Sequence, residues 1–395
     1  MQISELYIYP IKSLQGIPFS TAKLTARGFP YDRRFMLLKV IHNGDGTSTL
    51  KNMHVPHFPE MSLFYTDLIY PSVDGTERGR IIVTYRPPGN AESRTLEVPL
   101  QPDTRGLEEL AIVMHQSPTK GYNMGERYNG WFSECFGYEV VLAYLGPHSR
   151  GVLGSFAPEK SVAHMSLNNS WISMRAVGGL VLATLLLNWV AGPGEMSLVK
   201  MLPSLAATVV AVLLSVWTRY GGGWTRKEEE RITFADTAPY LLVSRTSVDN
   251  VSARLAGDEE MDVTKFRPNI VVAGAKTAFE EDFWAELKVG QDQDQDQGAD
   301  EGPARLLLTA NCVRCQSLNV DYATGKMGMG ETGTVLKKLM KDRRVDKGAR
   351  FSPVFGRYVF LDRQSDGRTV RVGDAVVVAR RVEERMVYDW PGLTN

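Results

Sequence analysis

Two cysteines, Cys312 and Cys315, stand at the end of an apolar run with only Val313 and Arg314 between them. A thiol can serve as a nucleophile, a redox partner or a soft metal ligand, and a neighbouring positive charge raises its thiolate fraction. Structural zinc takes four ligands from cysteine and histidine. One other cysteine exists, Cys135, and all six histidines (His42, His54, His57, His115, His148 and His164) lie far upstream. That excludes a four-cysteine site and argues against a mixed one. Thioredoxin-like exchange needs the pair to open a helix beside a βαβ unit, whereas the flanks here read as extended. A Cys–His hydrolase needs a base, for which His115 is the one conceivable partner. Cys312 reads as a small core residue, as free cysteines often are. Cys315, followed by Gln316-Ser317-Leu318-Asn319-Val320-Asp321 and the turn residues Tyr322-Ala323-Thr324-Gly325, reads as the chemical one.

The elements that must position it belong to a chain of 395 residues, long enough for two or three domains. Lys+Arg and Asp+Glu both number 45, which argues against a nucleic-acid partner held by bulk charge. Three cysteines make no disulfide framework and point to a reducing compartment. The segment Met1-Gln2-Ile3-Ser4-Glu5 has neither a basic nor a long apolar start, so no cleaved secretory signal is expected.

The first 40 residues read as β. Leu6–Ile11 is rich in aromatic and β-branched residues, and Pro10 marks a strand end or bulge. Gly28–Asp32 is turn chemistry, and Arg34–Val40 is a second strand. Further strands are expected at Arg80–Tyr85, Thr95–Val98, Glu139–Leu145, Tyr240–Val243, Ile270–Val272, Arg305–Thr309, Phe355–Leu361 and Ala375–Ala379. Short helices are expected at Asn129–Phe136, near Val248–Leu255 with Ser247 as its N-cap, and at Thr332–Leu339. Gln291–Gln297 alternates Gln and Asp and reads as a solvated loop. Asp321 reads as a turn residue. The fold expected is α+β and mainly β, an N-terminal β-barrel-like domain followed by a C-terminal β-barrel domain.

Between these halves the composition changes. Ala176–Gly194 and Leu202–Thr218 carry no charge, and Gly192-Pro193-Gly194-Glu195 breaks the two runs. A spanning helix needs about 20 apolar residues, so each run alone is marginal. Together they could form a membrane hairpin with basic outer flanks at Arg175, Arg219, Arg226 and Lys227. A buried helical hairpin in a soluble fold and a poorly ordered insertion, for example a translated intron, are the competing readings. The expected boundaries are therefore 1–145, a variable insertion at 146–230, and 231–390.

Four segments occur in order: Tyr9-Pro10-Ile11-Lys12-Ser13-Leu14-Gln15-Gly16, Asp32-Arg33-Arg34-Phe35-Met36, Phe266-Arg267-Pro268-Asn269-Ile270 and Arg314-Cys315. Together they resemble the molybdenum-cofactor sulfurase C-terminal (MOSC) proteins with an N-terminal β-barrel domain, and most of all the mitochondrial amidoxime-reducing branch. The resemblance covers 1–145 and 231–390 and leaves out the apolar middle. It implies a molybdenum cofactor (molybdenum–molybdopterin) with Cys315 as its protein ligand and catalytic thiolate. Lys12, Ser13, Arg33 and Arg267 would hold the pterin and its phosphate. Asn269, Thr237 and Ala238 would line it, Val313 and Arg314 would approach it from the strand end, and Asp236 would cap or orient the cofactor loop. The residue types agree: thiolate suits a soft, high-valent metal, and arginine forks and lysine suit phosphate. Bland alternatives stand beside these: Lys12 as a solvated lysine, and Arg267 paired to Asp262 or Glu260. Arg33 competes with Arg34 for the inward direction, since alternation along a strand admits only one. The residue before Pro268 is expected to be extended, which would aim Arg267.

The activity implied is reduction of N-hydroxylated substrates such as amidoximes and hydroxylamines, with electrons from cytochrome b5 and its NADH-dependent reductase. Gly325-x-x-Gly328-x-Gly330 is no dinucleotide fingerprint, so electrons are expected from outside the chain. The implied location is the mitochondrial outer membrane or another cytosol-facing membrane, with the cytosol as the alternative. The competing function is a cofactor or sulfur carrier without turnover. No pyridoxal-phosphate desulfurase domain is expected in a chain of this length. A membrane-tethered binding protein without catalysis is the third reading.

Overall fold

Alternation builds the strands. Glu109–Met114 alternates exposed and buried at every position, and Val354–Leu361 is buried at all eight. The first pattern marks a sheet with one wet face, the second a strand covered on both sides. The computed structural model describes residues 1–158 and 229–390, apart from Val73, Gly75, Asn90, Asp258 and 291–301. The apolar segments at 176–218 and the Gln/Asp run at 291–297 therefore lie outside the described residues.

The molecule is mainly β. Three α-helices lie wholly within the described residues: Glu126–Phe136, Arg245–Ser252 and Val335–Met340. The largest sheet has eight strands in the order Ile17–Phe19, Gln2–Ile8, Ile270–Ala273, Tyr240–Ser244, Val354–Leu361, Ala304–Val313, Trp284–Val289 and Val376–Arg381. Only the pairing of Tyr240–Ser244 with Ile270–Ala273 is parallel, and the helix Arg245–Ser252 makes that crossover. The sheet closes on itself. Val376 donates its N–H to Met1 (2.8 Å) and Ile3 donates to Asp374 (2.9 Å), beside a bridge from Gln2 to Ala375. Closure removes the edge strands that would otherwise invite mispairing. A strand from the N-terminus is thus built into a sheet whose other long strands all come from the C-terminal half.

A second sheet of five strands runs Ser48–Asn52, Phe35–His42, Val140–Tyr144, Ser117–Asn123 and Glu109–Met114. A third pairs Phe64–Ile69, Arg80–Tyr85 and Arg94–Pro99. These pack around Phe35, Phe64, Phe132, Met61 and Val83, all essentially fully buried. Residues 1–158 and 230–395 form one compact unit. Among the described residues, no helix is long and apolar enough to cross a membrane.

One sequence expectation needs correction here, and two elements carried no expectation at all. Ser247 caps nothing: the helix begins at Arg245 after Ser244, and the Ser247 hydroxyl donates to Glu281 (2.9 Å) and accepts from the Phe279 N–H (2.7 Å). A side-chain partner across the packing outcompeted the local cap. The segment Glu280–Leu287 ends as the strand Trp284–Val289, hidden in the sequence by its acidic start. The hairpin Glu109–Met114/Ser117–Asn123 carried no turn signal, because its tip is His115-Gln116 rather than Asn-Gly.

Candidate functional site

The strand Ala304–Val313 runs into Cys315, where the backbone leaves the sheet for a short 3₁₀ turn at Gln316–Asn319. Cys315 is exposed, and its Sγ lies 3.3 Å from Ser317 Oγ. Cys312 is buried in an apolar cluster with Phe156, Tyr358 and Tyr388 at the wall of the same cleft, and burial pushes its thiol up. The two cysteines therefore divide by burial, Cys312 within the strand and Cys315 exposed beyond its end. Arg314 lies between them, but its guanidinium is spent on carbonyls. Nε and Nη2 donate to Phe355 O (2.9 and 2.7 Å), and Nη1 donates to Phe266 O (2.9 Å). It clasps the stacked rings of Phe266 and Phe355, whose centroids are 3.8 Å apart. Its role is to tie the cysteine-bearing strand end to the turn that carries Arg267.

Cys315 opens onto a cleft of about 500 Å³. Every residue singled out in the sequence lines it: Lys12, Ser13, Arg33, Asp236, Thr237, Ala238, Arg267, Asn269, Val313, Arg314 and Cys315. Lys12 is buried and paired to Asp236, whose carboxylate stays more than half exposed at the cleft mouth. Burial pulls the Lys12 ammonium below its ordinary value, against the pull of Asp236. Desolvation would raise Asp236, but Lys12 and His115 beside it hold the carboxyl well below the usual range. The loop bearing Asp236 is held from behind by Arg150. That buried guanidinium donates to Thr233 O and Met114 O (3.2 Å each), to Ala235 O, and to Asp236 O (3.1 Å).

Arg33 and Arg267 both lie over the ring of Tyr9, their guanidinium carbons 4.8 and 4.5 Å from its centroid. Arg33 faces inward as expected, for a different reason. It precedes the strand Phe35–His42 in a turn with φ 49°, so strand alternation does not decide its direction. Asp32 and Asn269 fix it, the latter through a 3.1 Å bond from Nη1. Arg34 turns away to Gly146 O. Asn269 is also consumed structurally, accepting from Leu241 N–H (3.2 Å) and donating to Tyr7 O (3.2 Å). Arg267 is not extended: φ 56° and ψ 45° put it in the left-handed region, closing the 3₁₀ turn Val263–Phe266. Pro268 excludes the right-handed helical well for the preceding residue, and the turn selects the left-handed one. Arg267 makes no ion pair with Asp262 or Glu260 among the described residues; Asp262 instead caps Thr264 (2.8 Å). Asp321 is a turn residue, accepting from Ala323 N–H and Thr324 Oγ1.

Ser13, Arg33, His115 and Arg267 all have positive φ without being glycine, and all four line the cleft. Each such residue costs on the order of 1–3 kcal/mol and persists only where its surroundings hold it. Sequence reasoning missed Lys265 and His54, which also line the cleft, and left His115 unsupported. Lys265 is buried with its ammonium 5.5 Å from the Tyr322 ring. His54 is pushed down to about 4 by desolvation and by His57 and Lys12. His115 reaches the cleft from a hairpin tip, against Trp390 and 3.2 Å from Asp236. Two buried polar atoms of the cleft residues, Arg267 Nη2 and Thr237 Oγ1, have no hydrogen-bond partner among the described residues. Such orphans call for a ligand or water.

Comparison with known proteins fits this geometry. Residues 1–139 match the family model described as the MOSC N-terminal beta barrel domain, and residues 229–377 match the MOSC domain. The chain is 32% identical over 154 residues to human "Mitochondrial amidoxime-reducing component 1", covering 38% of this chain and 40% of that protein. It is 34% identical over 146 residues to rat "Mitochondrial amidoxime reducing component 2", covering 37% and 38%. It is 24% identical over 409 residues to the "Molybdenum cofactor sulfurase" of Aspergillus niger, a match covering 95% of this chain and 41% of that protein. The chain thus spans about two fifths of the length of the curated relatives it matches. With both domain types matched in order, this chain belongs to the MOSC-domain proteins that carry the N-terminal MOSC β-barrel domain.

Proposed function

We propose that the cleft holds a molybdenum–pterin cofactor and that the protein uses it to reduce N-hydroxylated compounds to the corresponding N–H compounds. One observation carries the reading: an exposed thiol shares its cleft with the cations Lys12, Arg33, Lys265 and Arg267, and buried Arg267 Nη2 and Thr237 Oγ1 lack partners among the described residues. The donor set fits the group. Cys315 offers a single soft ligand. The arginine forks and lysines suit a phosphate, and the orphaned donors belong to residues that line the same cleft. When bound, such a cofactor supplies two-electron removal of oxygen from N–OH.

The chain's own contribution is binding and electrostatics. Arg33 and Arg267, fixed over the ring of Tyr9, hold charge in place before any ligand arrives, so little ordering cost remains. Lys12 and His115 keep Asp236 ionised at the mouth. Cys315 stays open to solvent, which leaves its sulfur accessible. Electrons come, on this reading, from cytochrome b5 and its NADH-dependent reductase.

The match to a molybdenum cofactor sulfurase across nearly the whole chain favours a second reading, a cofactor or sulfur carrier without turnover. Metal and pterin analysis of the purified protein, followed by turnover of benzamidoxime with a reduced donor, separates the two. Molybdenum near one per chain in the wild type, lost in Cys315→Ser with the thermal transition unchanged, is expected. Full activity of Cys315→Ser would sink both assignments, and bound cofactor without turnover would leave the carrier.

A further inference from the structure

We infer that the loop around Lys347–Phe351 is the docking surface for an acidic, one-electron haem protein that delivers electrons at the rim of the cleft. The inference rests on the reductase reading above. Residues 337–351 hold seven Lys or Arg against two Asp. Neither aspartate neutralises the surface: Asp342 is paired with Arg254, and Asp346 is buried. Lys341, Arg344, Lys347 and Arg350 are exposed and have no carboxylate partner among the described residues. In their midst Phe351 is 85% exposed, an aromatic ring of no use to the core.

This patch is fixed to the cleft wall. Asp346 Oδ1 accepts from the N–H groups of Gly348 (2.9 Å) and Tyr388 (2.8 Å), and Tyr388 lines the cleft. Gly348 lies so close that an added Cβ would sit 1.7 Å from Tyr388 O, so no side chain fits there. Ser352 lines the cleft, and Pro353 O accepts from the N–H of Arg314, the residue before Cys315. The exposed cations and the aromatic ring therefore sit a few residues from the backbone that presents the thiol.

Reduction of R–NH–OH to R–NH2 and water breaks the N–O bond and forms one N–H and one O–H bond. It consumes two electrons and two protons. The protons come from solvent, and a one-electron haem donor is oxidised once in each of two encounters. Repeated brief encounters favour fast electrostatic association over a large apolar interface. A rigid basic rim with one projecting aromatic anchor meets that need. An anionic membrane would want a broader apolar face.

The test uses the full chain loaded with cofactor, and compares wild type with Lys347→Glu/Arg350→Glu and with Phe351→Ser. With cytochrome b5 as donor, KM for the donor is expected to rise at least about fivefold in the charge-reversed protein. The salt dependence of kcat/KM should flatten, while turnover with dithionite-reduced methyl viologen stays unchanged. Unaltered cytochrome b5 kinetics with intact methyl viologen turnover overturn the docking surface alone. Lost binding to phosphatidylserine vesicles with unaltered donor kinetics overturns it in favour of a membrane. No methyl viologen turnover in the loaded wild type defeats the reductase reading itself, whatever the patch does.

Discussion

At the scale of single residues, the cleft depends on how tightly two cations are held. Tyr9 is fully buried with Arg33 and Arg267 over its ring, and Gly16 makes room for it: a Cβ on Gly16 would lie 2.4 Å from the Tyr9 ring. The ring cannot yield without disturbing the guanidinium groups that lie over it. Gly16→Ala is therefore expected to cost about 1–3 kcal/mol in urea unfolding, as overpacking does, and to lower cofactor content. Tyr9→Phe should do neither. The Tyr9 hydroxyl is buried without a partner among the described residues, so its removal loses no bond. Equal stability of Gly16→Ala and wild type would refute the packing argument. The thiol, Lys12 and the two arginines could be picked out of the sequence because their types and order are unusual. Their directions could not. Arg267 and Arg33 are aimed by left-handed backbone that no neighbour in sequence demands, and His54, His115 and Lys265 reach the cleft only through packing.

At the scale of elements, strands with apolar or alternating stretches were legible, such as Arg80–Tyr85, which matches its expected bounds. Elements whose logic is tertiary were not. The clearest case is the buried pairing of the helix Arg245–Ser252 with the 3₁₀ turn Glu280–Phe283. Ser247 and Glu281 meet there at 2.9 Å with both residues fully buried. Desolvation pushes the Glu281 carboxyl up to about 7, against the pull of the Ser247 hydroxyl. Its unfolded value lies near 4.3, so between those two pH values the folded protein holds a proton that the unfolded chain releases. Stability then falls as pH rises through that window and levels off above it. The loss amounts to roughly 3–4 kcal/mol for a shift of that size, most of it between pH 5 and pH 8. Chemical denaturation at pH 5 and pH 8 should show this difference, and Glu281→Gln should flatten it. A variant with an unchanged slope between those pH values would assign the effect to other groups.

At the scale of the whole molecule, the two sequence halves share one closed sheet. Gln2–Ile8 sits between Ile270–Ala273 and Ile17–Phe19, and its neighbours seal the ring at residues 373–376. Ile3, Leu6 and Ile8 are essentially fully buried in the core of that sheet. Each such side chain contributes about 1.5–3 kcal/mol, so together they rival the total stability of an ordinary domain, about 5–15 kcal/mol. The same strand leads directly to Tyr9, Lys12 and Ser13, so barrel closure and cation placement are one structural event. A protein made of residues 229–395 alone should then expose two unpaired strand edges, aggregate on expression and bind no cofactor. Supplying residues 1–24 in trans, or fusing them behind residue 390 through a flexible linker, should restore a soluble, cooperatively unfolding barrel, because the strand needs only its pairing partners and not its original connection. The restored barrel should still lack cofactor, since Arg33 and the loop-bracing Arg150 lie outside residues 1–24. A soluble, cooperatively folded 229–395 fragment without the strand would show that the closure contributes far less than its burial implies.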